Sequence, residues 1–473
     1  MTELLDITDK ILPEEDPKFF NDEESLELYQ TCIYLMEEFI TDNPKIISEP
    51  DFDDTFDENI KELMHSHFDF DIFYTEEAEE EMEDIIEHAK TDFFKDHIPP
   101  RSYPDTFILE DPDYEYVYTQ LNILRNKPQP TQRTKEWYEF RHNLITASNA
   151  YKAFENQTTK NQLIYEKCQP LNQNLYIDGD EENEDNEDVK EIIMVNTNTT
   201  LHWGQKYEPL SVKYYEHVYG TKIEDFGCIQ HETVMCLGAS PDGINVDPET
   251  KRYGRMLEIK NIVNREIDGI PKKEYWIQMQ LQMEVCDLDE CDFLETKFTE
   301  YGDFQSYEND TIDEIYEDED GFEFNNICLS KDNKMKGEII YFHTKEGKPF
   351  YVYKPLDIIH PSDLIEWREN VIDYYTQQNP QYSYTFMKTL YWKLEEVSCV
   401  LVCRNRQWFT DNINELEELW STIEKERVSG YEHRAPNRKQ KKENIVDLTT
   451  KPNGGCLLQF NKDTGKITVV KNE

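Results

Sequence analysis

Residues 237–261, LGASPDGINVDPETKRYGRMLEIKN, decide how this chain is read. The pattern predicts two strands joined by a turn at Asp247-Pro248-Glu249. Strand side chains alternate, so in Leu257-Glu258-Ile259-Lys260 the two charged residues share one face and the two apolar residues point the other way. Asp242 sits near the start of the hairpin, and Gly243 lets the backbone bend sharply there. An Asp on one strand and Glu-x-Lys on its neighbour can gather three charged heads around one point. Two carboxylates suit a hard cation such as Mg²⁺, with water completing its shell. A lysine beside them can orient or deprotonate an attacking water and stabilise a phosphorane-like transition state. That is the chemistry of phosphodiester hydrolysis.

Flanking segments add polar groups in an order that supports this chemistry. Trp203 opens a predicted helix running to about Tyr219, with Pro209 in its first turn and Glu208 near its start. Glu274 to Met283 predicts a second helix, with Trp276, Met279 and Met283 on an apolar stripe and Glu274, Gln278 and Gln282 on another face. Upstream, Trp137 to Arg141 suits a short helix. Ser148 is placed to cap the next one and leave an anion site at its amino end, with Arg141 able to add a bidentate phosphate contact.

Composition bounds the rest. The 473 residues carry 49 Lys+Arg against 100 Asp+Glu, a net charge of −51. A whole-surface basic nucleic-acid binder is excluded, and contact with DNA has to use a local basic patch or bound cations. Residues 251–273 hold such a patch: Lys251, Arg252, Arg255, Lys260, Arg265, Lys272 and Lys273. The ten cysteines show no CxxC spacing and read as free thiols of a reducing compartment. The start of the chain has acids where the basic region of a signal peptide would sit, and no apolar run is long enough to span a bilayer.

Residues 1–127 read as an acidic, mostly helical extension, with helices expected around Leu26–Ile40 and Thr75–Lys95. Pro128-Gln129-Pro130 marks a boundary, and a compact domain is expected over 128–430. Acidic insertions at 178–191 and 300–323 interrupt it, the first expected to be a dispensable solvated loop. Strands are expected at Gly337–His343, Phe350–Tyr353 and Tyr391–Cys403, and helices at Pro361–Tyr375 and Arg406–Val428. Residues 431–473 form a tail that is basic at 438–442 and mixed beyond.

The ordered set W-x₃-R-x₃-I-T-A-S, G-x₃-E-P, A-S-P-D-G, L-E-I-K and Q-x-Q-x-Q-M, across about residues 130–297, resembles the phage lambda exonuclease/YqaJ viral recombinase family of the PD-(D/E)xK nuclease superfamily. The later YWKLEEVSCVLVCRNRQWF segment resembles versions encoded by large DNA viruses. The resemblance implies an α/β restriction-endonuclease-like core, a mixed central sheet flanked by helices. It implies a Mg²⁺-dependent deoxyribonuclease, with Mn²⁺ as a substitute, acting 5′-to-3′ from duplex ends in viral recombination, repair or replication. Asp242 and Glu258 would be the principal metal ligands, with the carbonyl of Ile259 contributing and Glu208 helping to hold a second cation. Lys260 would be the catalytic lysine, and Gln278 would lie beside the nucleophilic water. Arg141 and Ser148 match positions that grip a terminal 5′-phosphate. Expected partners are DNA ends, a single-strand annealing protein and further copies of the chain, with no membrane, in the host cytoplasm, a viral factory or the nucleus. Two other readings stay open: a structure-specific endonuclease on the same fold, and a catalytically silent acidic scaffold.

Overall fold

A computed structural model describes residues 19–43, 46, 52–68, 75–94, 112–130, 134–171, 197, 199–267, 269–317, 323–345, 347–379, 381–435, 457–460 and 467–470. The first three helices are α1 (Asp22–Asp42), α2 (Phe52–His67) and α3 (Glu76–Asp92). Asn21 and Glu24 close a capping box at the start of α1, and Thr75 caps α3. The apolar positions of α1 recur at helical spacing, so Leu28, Cys32, Leu35, Met36 and Ile40 face inward. They meet Phe52, Phe56, Ile60 and Met82 in a core of their own, which Val400 joins.

Next come α4 (Tyr114–Asn126), α5 (Lys135–His142), β1 (Ile145–Thr146), α6 (Ala147–Ala150), α7 (Gln157–Cys168) and α8 (Thr200–Tyr219). The expected boundary at 127 would put α4 in the extension, yet its Val117, Leu121 and Leu124 lie in the largest core, together with the central sheet. Short strands β2 (Ile223–Glu224), β3 (Ile229–Gln230), β4 (Leu237–Ala239) and β5 (Gly243–Asn245) lead to β6 (Met256–Asn261). Then follow α9 (Lys273–Cys286), β7 (Glu290–Glu300), α10 (Phe304–Asn309), β8 (Ile315–Glu317), β9 (Glu323–Asn325), β10 (Lys336–His343), β11 (Pro349–Tyr353), α11 (Pro361–Asp373), β12 (Thr385–Cys403) and α12 (Arg406–Ser429).

The fold class is the expected one: a mixed sheet flanked by helices. Its seven strands run in the order β11-β10-β12-β7-β6-β5-β2, and only the β6–β7 pair is parallel. A three-stranded sheet, β1-β4-β3, stands beside it. This corrects the hairpin expectation in one respect. Leu237–Ala239 belongs to the smaller sheet, and the hairpin is β5–β6, joined through residues 246–255 rather than by a tight turn. Strand alternation sends Leu257 and Ile259 to the α8 face, where they pack with Tyr215, Leu294 and Cys399. Met256 and Phe293 face α9, against Trp276 and Met283.

The stretch expected as an acidic insertion at 300–323 contains α10 and β8, and Tyr307 is buried there. The run at 178–191 and the basic cluster at 438–442 lie outside the described residues. All nine described cysteines are free thiols. Among the described residues no helix is long and apolar enough to cross a membrane. Residues 435–473 form a second unit, in which β13 (Leu457–Phe460) and β14 (Ile467–Val470) pair antiparallel.

Candidate active site

The hairpin β5–β6 and helix α9 build the centre. Gly243 is required at the start of β5, because a Cβ there would collide with Ile223. This close approach holds Asp242 at the hairpin's mouth, where its amide donates to the Leu257 carbonyl at 3.2 Å and its Oδ2 accepts from the Ile259 amide at 2.7 Å. Glu258 is 1% exposed, on the α9 face of β6. Lys260, two residues on, forms an ion pair with its Oε1. Gln278 and Gln282, one helical turn apart on α9, each donate at 2.7 Å, one to Oε1 and one to Oε2. The alternation read from the sequence and the polar face of the second helix therefore meet at one carboxylate.

Electrostatics mark this centre. Burial pushes the Asp242 carboxyl well above the usual carboxylate range, and the charge on Glu258 pushes the same way while Lys260 opposes it. Burial disfavours the charged form of Lys260, but Glu258 and Asp242 outweigh it and hold the ammonium protonated. The Nζ also lies 4.9 Å from the centroid of the Tyr275 ring. In register with Lys260 on β7, the fully buried Glu295 pairs with Arg265.

Glu208 is placed differently from expectation. The helix starts at Thr200, with Thr199 as its cap, so Pro209 lies well inside it and Glu208 is not near its start. Glu208 is exposed, and its charge reaches Asp242 without joining the carboxylate pair in a cluster. Among the described residues no three His, Cys, Asp or Glu side chains gather as a metal-binding group.

Arg141 lies beside the centre. One of its guanidinium nitrogens donates to Ser240 Oγ at 3.2 Å, and Ser240 stands two residues before Asp242. The Ser240 carbonyl also accepts from Gln282 at 3.3 Å. Ser148 does not cap a helix: Thr146 is the cap residue of the four-residue α6, and the exposed Ser148 hydroxyl lies 3.3 Å from the Thr146 hydroxyl. The amino end of so short a helix offers no anion site of its own. Two cations that sequence reading missed stand behind Arg141. Lys167 Nζ donates to the Arg141 carbonyl at 2.7 Å. Arg427, on α12, donates to the His142 and Lys167 carbonyls at 2.9 and 3.0 Å, closing the carboxyl ends of α5 and α7. Burial lowers Lys167 to about 8, with Arg141 and Arg427 adding to the effect. Burial, with the charges of Arg427 and Lys167, lowers His142 to about 4. Among the described residues no carboxylate forms an ion pair with Arg141, Lys167 or Arg427, in a chain with twice as many acids as bases.

The basic patch expected over 251–273 is mostly consumed. Arg252 and Arg255 pair with Asp292, Arg255 also with Glu290, Arg265 with Glu295 and Lys260 with Glu258. Lys251 has an interaction of its own, and Lys272 and Lys273 are exposed.

The donor set fits a hard divalent cation. Asp242 and Glu258 offer carboxylate oxygens side by side, against one ammonium, and Gln282 Oε1 is buried with no hydrogen-bond partner among the described residues. Two carboxylates with water completing the shell is the coordination Mg²⁺ accepts most readily.

Residues 136–289 match the family model of the YqaJ-like viral recombinase domain. Uncharacterized protein R354 of Acanthamoeba polyphaga mimivirus is 26% identical over 364 residues, covering 72% of this chain and 59% of that protein. The chain thus spans about three fifths of the length of that relative. Among solved structures, the alkaline exonuclease LHK-Exo from Laribacter hongkongensis aligns over 62% of this chain and 94% of its own, at 16% identity and a TM-score of 0.33. A phage-related exonuclease from Haemophilus somnus 129PT aligns over 63% of this chain and 99% of its own, at 12% identity and 0.29. The family match encloses Arg141, Ser148, Glu208, Asp242, Glu258, Lys260 and Gln278, while Arg427 lies beyond it. Residues 136–289 are thus similar to the YqaJ-like viral recombinase domain, the same resemblance that the ordered motifs carry.

Proposed function

We propose that the chain is a metal-dependent DNA exonuclease that hydrolyses phosphodiester bonds from duplex ends, 5′ to 3′, in viral DNA recombination, repair or replication. The observation that carries this reading is the buried Glu258, ringed by Lys260, Gln278 and Gln282 with Asp242 beside it. In this reading Asp242 and Glu258, with the Ile259 carbonyl, hold Mg²⁺ or Mn²⁺, and Glu208 approaches as a further ligand once a second cation enters. The bound ion would supply Lewis-acid polarisation of the phosphate and a lowered pKa for coordinated water. Lys260, kept as an ammonium, offsets negative charge developing on the phosphate. Gln278 and Gln282 fix the orientation of Glu258, and Gln278 is placed to align the attacking water. Arg141 receives a terminal 5′-phosphate, with Lys167 and Arg427 adding positive field and Ser148 a hydroxyl at the rim. Three clustered cations with no carboxylate partner among the described residues are what such a phosphate requires. A single-strand annealing protein and self-assembly belong to the same proposal.

The test is incubation of the purified protein with end-labelled linear duplex and closed circular duplex, in Mg²⁺ or in EDTA. Degradation of the linear form alone, and only with the cation, is expected. Nicking of the circle would move the reading to an endonuclease, and no cleavage of either form would leave the acidic scaffold.

A further inference from the structure

The stretch 374–394, YYTQQNPQYSYTFMKTLYWKL, contains no Asp or Glu. With 100 acids in 473 residues, about four would fall in a stretch of this length, so their absence from it stands out from the charge pattern. It carries five tyrosines and two lysines instead. Its rings form a layered shelf. The buried Phe342 lies 5.5 Å from Tyr375, and Tyr384 stacks on Tyr375 at 5.9 Å with 13° between planes. Tyr382 lies 4.9 Å from Tyr375 and 5.7 Å from Tyr374. The outer members are open to solvent: Tyr374 is 41% exposed, Phe386 40% and Met387 44%, and Lys388 is exposed as well. A core normally turns such rings inward; here the core anchors one side and leaves the other bare.

The sheet register says where the shelf lies. Lys260 is level with Glu295, and Glu295 with Ser398 on β12. Phe386 is twelve residues away from Ser398 on the same strand, roughly 40 Å along it, past the point where β7 ends at Glu300. That is the end of the sheet toward which β6 carries Lys260.

We propose that this shelf binds single-stranded DNA by stacking bases on Tyr374, Tyr382 and Phe386, with Lys388 facing the backbone. Lys393 is held by Asp310 and Glu395, which leaves Lys388 as the exposed cation beside the rings. Open aromatic faces beside a lysine are the chemistry that holds single strands without sequence preference, whereas the bases of a duplex are already stacked. The source of the strand, though not the binding itself, rests on the exonuclease reading: degrading one strand of a duplex end leaves the other single.

The experiment measures fluorescence anisotropy of labelled oligothymidine with the full chain in EDTA, so that cleavage plays no part. Tyr374→Ala with Tyr382→Ala is expected to weaken binding by about tenfold or more, and Tyr374→Phe with Tyr382→Phe to retain it. Lys388→Glu should weaken binding and flatten its salt dependence. Matching melting temperatures exclude a folding defect. No binding by the wild type, or equal binding by the alanine variant, overturns the proposal. So does a variant that changes sedimentation rather than affinity, which would make the shelf a contact between copies. Binding in a protein that cleaves nothing would sink the exonuclease reading and leave the shelf standing.

Discussion

Two carboxylate centres occupy opposite faces of one sheet, on neighbouring strands in register, and they are neutralised differently. On the α8 face, the 1% exposed Asp292 accepts from Arg252, Arg255 and the Tyr215 hydroxyl, and Arg255 also reaches Glu290 at 2.9 Å. Two arginines answer two acids. On the α9 face, Asp242 and Glu258 have one ammonium between them and two uncharged amides. A buried charge is tolerated when paired and costs stability when it is not. The first centre is complete within the chain, since it ties β7 to α8 and to the 246–255 connection. The second sets two carboxyl groups against one ammonium, and the proposed cation would supply the balance.

The largest expected contrast is in stability. Asp292→Asn takes a carboxylate from the buried Arg252 and from the half-buried Arg255, which keeps Glu290, and should cost about 3–5 kcal/mol in denaturant unfolding. Glu258→Gln removes one of two repelling charges and should leave the midpoint unchanged or raise it. Equal losses in both variants would erase the distinction between the two centres.

Cations sharpen the same contrast. Mn²⁺ or Mg²⁺ at about a hundred times its dissociation constant should stabilise the wild type by about 2.7 kcal/mol. The melting temperature of Glu258→Gln should respond much less, and that of a folded Asp292 variant as much as the wild type's. Stabilisation that persists in full in Glu258→Gln would place the cation elsewhere.

Arg141 tests the phosphate side of the under-neutralised face. Duplex with a 5′-phosphate should be degraded faster than the same duplex with a 5′-hydroxyl, since charge-assisted hydrogen bonds contribute roughly 1.5–3 kcal/mol. Arg141→Ala should remove the preference and Arg141→Lys should restore it only in part, lacking the planar fork. A preference that survives Arg141→Ala would return Arg141 to a structural role against Trp137, whose ring lies 4.5 Å away.

The smallest effect concerns His142, which burial, Arg427 and Lys167 hold near 4. Below the ordinary histidine range the unfolded chain binds a proton that the folded chain refuses, so the neutral ring's stability is present above about pH 6.5 and lost as pH falls toward 4. His142→Asn should therefore lose about 1–2 kcal/mol less than the wild type between those limits, allowing for solvent screening. Parallel stability profiles would show that the positive field around Arg427 is weaker than the geometry implies.

What was legible in the sequence follows from how local each signal is. Glu258 and Lys260 declare their shared face by strand alternation alone, and Gln278 and Gln282 declare theirs by helical spacing. The role of Gln282 was not legible, because a glutamine on a helix shows nothing until its partner, 24 residues away, is in place. Arg252 and Arg255 looked like DNA contacts because Asp292 lies 40 and 37 residues downstream. Ser148 has the residue type of a cap, yet it is the extended backbone of Thr146, at the end of β1, that decides where the helix starts. The helix of Glu208 begins earlier than its Pro suggested, since Thr199 supplies the cap. Lys167 and Arg427 were invisible for the same reason as Asp292: they meet across 260 residues.

The most direct test of the under-neutralised centre is the rate of nucleotide release from linear duplex DNA in saturating Mg²⁺, by the wild type and by Glu258→Gln of matched melting temperature. Losing a ligand's share of transition-state stabilisation, several kcal/mol, should slow release by about a thousandfold or more. Release by a folded Glu258→Gln protein within about tenfold of the wild type would contradict the account, since tenfold is barely 1.4 kcal/mol.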